Sequence, residues 1–188
     1  MFMRMLAAVS VVMSLSAGGF AFAQTSPVEA PSVAPKTSVS TSEFRRLALI
    51  ALFFDYESSR LATEQARRGS IRNYAAPLVQ DFRADFARLT AGLGPFTSLP
   101  TTLPPNLDAP IKPYVDDRRA QMLTQLVGAT GRDFERLYVD MQAGVQEENL
   151  ALFATYAQSG DDAGLLAFAR EKLPRIQRAS QIMSRLAR

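Results

Sequence analysis

Residues 70–93 read SIRNYAAPLVQDFRADFARLTAGL, and their spacing decides the fold. Ile71, Tyr74, Ala75, Leu78, Val79, Phe82, Phe86 and Leu89 recur at i, i+3, i+4 and i+7. That spacing gathers apolar groups on one stripe of an α-helix and would scatter them over both faces of a strand. The stretch reads as a helix with one buried face, with Ser70 available as its N-cap. Pro77 lies inside it, removes a backbone donor and crowds the preceding turn, so a kink is expected there.

Working towards the N-terminus, residues 42–68 form the first expected helix. Thr41 or Ser42 can cap it, Glu43 suits its first turn, and Gly69 offers a left-handed exit. Its segment 47–54, LALIALFF, is apolar on every side. So short a run does not cross a bilayer. A central helix covered on most faces is expected, with an oligomer or membrane-surface contact as the alternative.

Towards the C-terminus, residues 94–113 hold Pro95, Pro100, Pro104, Pro105, Pro110 and Pro113, and no helix crosses them. A long connection in a helical chain implies a crossover along a bundle. A third helix is expected over 113–127, with Pro113 near its first position. Gly128 and Gly131 bracket a turn, and a fourth helix follows over 132–158 with Phe134, Tyr138, Met141, Val145, Leu152 and Tyr156 inward. Ser159-Gly160 ends it. Asp161 or Asp162 caps a fifth helix reaching about Ala187, with a kink or break at Pro174. No stretch alternates with period two and no repeat has a fixed period, so no sheet is expected. The fold class is all-α: a four-helix bundle of about five helices, including a kinked C-terminal one, with a long Pro-rich crossover loop.

The first 23 residues read as an export signal. Arg4 is the positive n-region, 5–17 the apolar h-region, and Ala21-Phe22-Ala23 the small-x-small pattern cut between Ala23 and Gln24. The apolar run is too short for a helix that stays in the membrane. Residues 24–40, rich in Pro, Ser, Thr, Ala and Val, read as a disordered linker. A single bundle domain over 41–188 then follows, long enough to bury roughly 70% of its unfolded surface. The expected location is periplasmic or associated with the outer membrane.

Composition excludes a good deal of chemistry. The chain has 21 Lys and Arg against 18 Asp and Glu, and loss of Arg4 leaves a balance too near neutral to imply a nucleic-acid partner. The tail is locally basic, with Arg170, Lys172, Arg175, Arg178, Arg185 and Arg188 against Glu171. It reads as a solvated helix face, with contact to an anionic membrane surface or envelope polymer as the alternative. There is no cysteine, hence no disulfide and no lipid-anchor cysteine, and packing alone must supply stability. There is no histidine, which removes Ser-His and Cys-His nucleophiles, imidazole-ligated metals and histidine-ligated haem. Carboxylates, tyrosines, Lys36, Lys112 and Lys172 are the remaining acids and bases, and they would need strongly shifted pKa values to serve.

Phe44, Ala48, Asp55, Leu61 and Ala62 follow an F…A…E…LA pattern with aspartate for glutamate. Ile71, Asp81 and Phe82, then Leu99-Pro100, the run Gly131-Arg-Asp-Phe134-Glu135-Arg-Leu-Tyr138, Gln146-Glu147 and Leu173-Pro174 continue it in order. In this the chain resembles a family of exported bacterial helical bundles, a domain of unknown function that is ferritin-like in architecture and often labelled an outer-membrane protein. The resemblance implies a ferritin-like bundle over about 44–186. It also implies a carboxylate and three histidines on separate helices, a plausible metal constellation in a bundle core. Here those positions hold Asp55, Phe82, Gln146 and Ala179. Phe82 lies between Leu78 and Phe86 and continues the apolar stripe, and Ala179 has no donor atom. No family-type metal site and no cofactor are therefore expected.

Asp55 lies in line with Ala48, Ala51, Ser58/Ser59 and Ala62. A buried carboxylate is costly unless paired, so an ion pair with Arg83 or Arg136, or a hydroxyl network with Ser58/Ser59, is expected. A functional carboxylate is the alternative. Glu147-Glu148 should face solvent, an oxygen-only Ca²⁺ or Mg²⁺ site lacks enough converging oxygens, and Met122, Met141 and Met183 read as core filler. The expected function is a non-enzymatic binding or envelope-associated structural role with an unknown envelope protein or polymer. The alternative is a ferritin-like metal-handling or redox protein with a degenerate site.

Overall fold

The computed structural model describes residues 38–93 and 114–188. The signal segment with Ala23 and Gln24, most of the linker, and the Pro-rich connection with Leu99-Pro100 and Pro113 lie outside the described residues. Five helices make up the rest: α1 (Thr41–Gln65), α2 (Gly69–Thr90), α3 (Asp117–Gly128), α4 (Gly131–Ser159) and α5 (Ala163–Leu186). Among the described residues there is no strand, and no helix is long and apolar enough to cross a membrane. Helices α1, α2, α5 and α4 pack in a ring, each against the next, and the short α3 lies against α1 and α4. The protein is an all-helical bundle. Along the chain, the connection after α2 leads through α3 to α4, which faces α2 across the bundle through Tyr74 and Tyr138.

The core follows the apolar stripes. At one end Phe44, Phe53, Phe82, Phe86, Phe153, Tyr156 and Phe168 form an aromatic cluster. Phe44 stacks on Tyr156 at 3.9 Å and meets Phe153 edge-on at 5.1 Å. At the other end Leu61, Ile71, Leu126, Phe134, Tyr138 and Met183 pack together, while Phe54, Leu123 and Val145 form a smaller cluster beneath α3. Every residue of 47–54 is buried or half-buried, as a central helix requires. Met183 is buried, and Met122 and Met141 pack against the smaller cluster. Of the expected inward residues of α4, Met141 and Leu152 are only half-buried.

Several helix ends differ from expectation, each for a visible reason. Ser40, not Thr41 or Ser42, caps α1 by accepting from Glu43 N at 3.3 Å. Thr41 instead bonds the Tyr156 hydroxyl at 2.6 Å and donates to Asp161, tying α1 to the α4–α5 corner. Helix α1 stops at Gln65, and Gly69 is the first residue of α2 rather than a left-handed exit. The corner is held by a distant side chain: Glu135 Oε1 on α4 accepts from Arg67 N at 2.6 Å and Arg68 N at 2.7 Å. Arg72 closes the other side by donating to the Ala66 and Arg67 carbonyls at 2.6 and 2.7 Å. Ser70 caps nothing, because the N-cap position belongs to Arg68. Asp116, not Pro113, sets the start of α3 by accepting from Arg119 N at 2.8 Å.

Gly131 opens α4 at φ +58, a left-handed value that glycine reaches without a Cβ clash. Gly160 ends α4, where an added Cβ would lie 2.5 Å from the Tyr156 ring. Asp162 caps α5 by accepting from Leu165 N at 2.9 Å. Helices α2 and α5 both run on through Pro77 and Pro174 without interruption. Both prolines face solvent, where water can satisfy the carbonyl each leaves unpaired.

Candidate functional site

A groove of about 540 Å³ opens among α1, α2, α4 and α5. The apolar walls are Leu52, Leu78, Leu89, Phe153 and Ile176, and the polar side chains come from facing helices. Of the four positions singled out in the sequence, Asp55, Gln146 and Ala179 line this groove. Phe82 does not; it is 1% exposed in the aromatic cluster, stacked on Tyr56 at 4.3 Å and edge-on to Phe53 at 5.4 Å.

Asp55 is the centre of the polar network. Its Oδ1 accepts from Gln142 Nε2 at 3.3 Å and Gln146 Nε2 at 3.4 Å. Its Oδ2 accepts from Gln146 Nε2 and Asn149 Nδ2, both at 3.4 Å. The expected ion pair with Arg83 or Arg136 is not formed. Arg83 is exposed on α2, and Arg136 pairs with Asp133 at 3.3 Å. The expected hydroxyl network is reached only indirectly, since Ser58 Oγ donates to Phe54 O at 2.7 Å and accepts from Gln142 Nε2 at 2.9 Å. Ser59 bonds the Tyr138 hydroxyl at 3.1 Å instead.

The amides are linked to one another as well. Gln142 Oε1 accepts from Tyr74 at 3.2 Å and from Gln146 Nε2 at 3.1 Å. Gln142, Gln146 and Asn149 are all buried. They occupy i, i+4 and i+7 of α4, on the stripe that carries Tyr138, Phe153 and Tyr156. A reading by hydrophobicity alone passes over Gln142 and Asn149. The signal that finds them is a polar interruption at core spacing within an otherwise apolar stripe.

Electrostatics follow from this placement. Burial pushes the Asp55 carboxyl up to about 6, against the pull of the Gln142 and Gln146 hydrogen bonds and the more distant Arg119 charge. Burial, with the Asp55 charge as a lesser cause, holds the Tyr74 and Tyr138 hydroxyls well above their ordinary value. Both tyrosines therefore stay protonated, and Tyr74 donates to Gln142. Arg119 is itself buried beside α4, paired with Asp116 at 2.7 Å and Glu148 at 2.9 Å. Glu148 also takes Arg118 at 2.6 Å, and Glu147 and Glu148 both face solvent.

The rim of the groove is an ion-pair lattice between α2 and α5. Lys172 Nζ lies 2.6 Å from Asp85 and 3.8 Å from Asp81, and Arg175 Nη1 lies 2.5 Å from Asp81. Burial raises the Asp85 carboxyl, opposed chiefly by its bond to Lys172. Arg88 lies over the Phe168 ring at 4.7 Å and pairs with Glu171 at 2.7 Å. Arg170 donates to the Ala157 carbonyl at 3.0 Å. Three cations of the basic tail thus have partners within the chain, but only Lys172 is largely covered; Arg170 and Arg175 are exposed, as are Arg178, Arg185 and Arg188, so most of this face is solvated.

Among the described residues no three His, Cys, Asp or Glu side chains come together in a way that would hold a metal ion. Asp55 with three amides offers one negative charge and neutral dipoles, an arrangement suited to binding a positively charged or hydrogen-bonding group. A helical bundle with a half-polar groove between facing helices is the class this structure defines. The chain belongs to the family described as domain of unknown function DUF4142, whose profile matches residues 26–186. No curated protein and no solved structure matches the chain.

Proposed function

We propose that the mature chain works outside the cytoplasm as a non-catalytic, ferritin-like binding bundle, periplasmic or associated with the outer membrane, and that the groove between α1, α2, α4 and α5 is its binding surface. The observation that carries this reading is the half-buried Asp55 carboxyl, met by Gln142, Gln146 and Asn149 at the wall of a cavity of about 540 Å³. A cavity of that size, largely apolar with a few converging polar groups, has the make-up of a small-molecule site. Catalysis is disfavoured because, among the described residues, no second group suited to proton transfer at neutral pH stands beside Asp55, given the raised Tyr74 hydroxyl. The export reading rests on Arg4, the apolar run 5–17 and Ala21-Phe22-Ala23.

Two measurements on the chain expressed in a bacterial host test this. Fractionation should recover a protein beginning at Gln24 outside the cytoplasm; a full-length cytoplasmic product would refute the location. Elemental analysis of the purified protein should show no stoichiometric metal, with a melting temperature indifferent to EDTA. Iron, copper or manganese near one equivalent per chain would favour the metal-handling alternative.

A further inference from the structure

We propose that the groove accepts a small amphipathic monocation, its ammonium group seated on Asp55 and its apolar body along Leu52, Leu78, Phe153 and Ile176. This inference rests on the groove being a binding surface and names the ligand chemistry that it selects.

The charge arrangement makes the selection. Asp81 and Asp85 each meet a cation of α5 at hydrogen-bond distance, Arg175 at 2.5 Å and Lys172 at 2.6 Å. Asp55 is different: among the described residues it forms no ion pair, and its four contacts are neutral amide hydrogen bonds of 3.3–3.4 Å. Bonds from a positively charged N–H donor to a carboxylate ordinarily close to about 2.7–2.9 Å. The amides therefore hold the carboxylate in place and leave its charge largely uncompensated at the groove wall. An ammonium supplies what is missing, namely a full positive charge with short N–H donors.

The walls and the rim narrow the choice. A bare inorganic ion would leave most of the 540 Å³ cavity and its apolar sides unused. An alkyl or aryl body buries that surface and gains hydrophobic stabilisation in proportion to its area. Asp81 and Asp85 also line the groove but are already taken by Arg175 and Lys172, and Arg178 adds a further positive charge there, so a second positive charge on the ligand would find no free carboxylate among the described residues. A monocation is preferred over a polyamine for that reason.

Protonation of Asp55 removes the anchor. The groups facing it are Tyr74 from α2, Tyr138, Gln142, Gln146 and Asn149 from α4, and Arg119 at longer range from α3. Asp81, Asp85, Lys172 and Arg175 share the groove. Ammonium binding should weaken as the pH falls through about 6, where Asp55 takes up its proton.

Calorimetric titration of the purified protein with n-octylammonium, and separately with n-octanol, tests the proposal. At neutral pH the ammonium should bind at least about tenfold more tightly than the alcohol. Asp55→Asn, shown to be folded by dichroism, should bring the two affinities together. Leu78→Trp, which fills the apolar wall and leaves Asp55 in place, should weaken both probes and serves if Asp55→Asn does not fold. Equal ammonium affinity in Asp55→Asn and wild type would overturn the proposal. Equal binding of both probes to wild type would also overturn it while leaving the groove as a binding surface. Binding of neither probe would remove the groove reading too.

Discussion

Glu135 is the side chain on which the α1–α2 corner turns, and replacing it gives the most direct test of how the bundle is closed. Its buried carboxylate accepts two backbone N–H groups, from Arg67 at 2.6 Å and Arg68 at 2.7 Å, both on Oε1. A hydrogen bond to a charged acceptor contributes about 1.5–3 kcal/mol net. Two such bonds set an upper figure near 6 kcal/mol, but Arg67 and Arg68 are exposed, so water can reclaim part of their donors. The expected cost of Glu135→Ala is about 3 kcal/mol, or a fall in Tm of about 10 °C for a domain of this size. Glu135→Gln keeps an acceptor oxygen at the same place and loses only the charge, so it should cost about 1 kcal/mol. Urea denaturation followed by dichroism measures both. An alanine variant within about 0.5 kcal/mol of wild type, the range of an ordinary surface change, would refute the assignment of the corner to this side chain. So would a glutamine variant as damaging as alanine.

Three further outcomes follow from other parts of the molecule. Burial raises the Asp55 carboxyl from 3.8 to about 6, so the folded state holds that proton more tightly than the unfolded chain does. Its stabilising contribution is complete below about pH 4 and is lost as the pH rises through about 6, leaving ionisation to cost up to about 3 kcal/mol at neutral pH. Asp55→Asn should therefore raise the neutral-pH denaturation midpoint, and a carboxyl-carbon titration near 4 in the wild type would contradict the reasoning. Phe44 is fully buried and stacked on Tyr156, and Phe44→Ala should cost about 3–5 kcal/mol; a loss below about 1 kcal/mol would show that the aromatic cluster closes over the gap. Pro77 is exposed inside α2, so Pro77→Ala should restore a bond to the Asn73 carbonyl and add about 1–2 kcal/mol, net of the lost chain stiffness. A lowered Tm in a thermal scan would sink that expectation.

The helices were legible because their stripes are local: the 3.6-residue period in α2 and the unbroken apolar run in α1 need no partner to be recognised. Asp162 is legible as a cap, whereas Ser40 and Asp116, equally local, are passed over in favour of neighbouring Thr41, Ser42 and Pro113. At Gly69 a familiar signal misled, because the carboxylate that ends α1 comes from a helix 67 residues further on. Pro77 reads as a kink and Pro174 as a kink or break; neither interrupts its helix, since both sit on wet faces where an unpaired carbonyl costs little. In the groove, Asp55, Gln146 and Ala179 were visible from the resemblance. Gln142 and Asn149 were not, since a polar residue on a core stripe shows its purpose only when its partner across the bundle is known. An arginine was the natural guess for Asp55 because charge pairing is the commonest remedy for a buried carboxylate; amide dipoles meet it instead and offset its burial only in part.

The polar network joins two helical hairpins that are distant in the chain. Asp55 and Ser58 belong to the α1–α2 pair, whereas Gln142, Gln146 and Asn149 belong to the α4–α5 pair, 84–94 residues away. Each hairpin can hold its own helices through near-neighbour contacts, yet neither contains a complete set of groove-lining groups. Partial separation of the pairs would erase the pocket while barely altering the helical signal of the protein. Dichroism would miss such an opening, and amide-proton exchange along the α1–α4 seam is the observable that would register it.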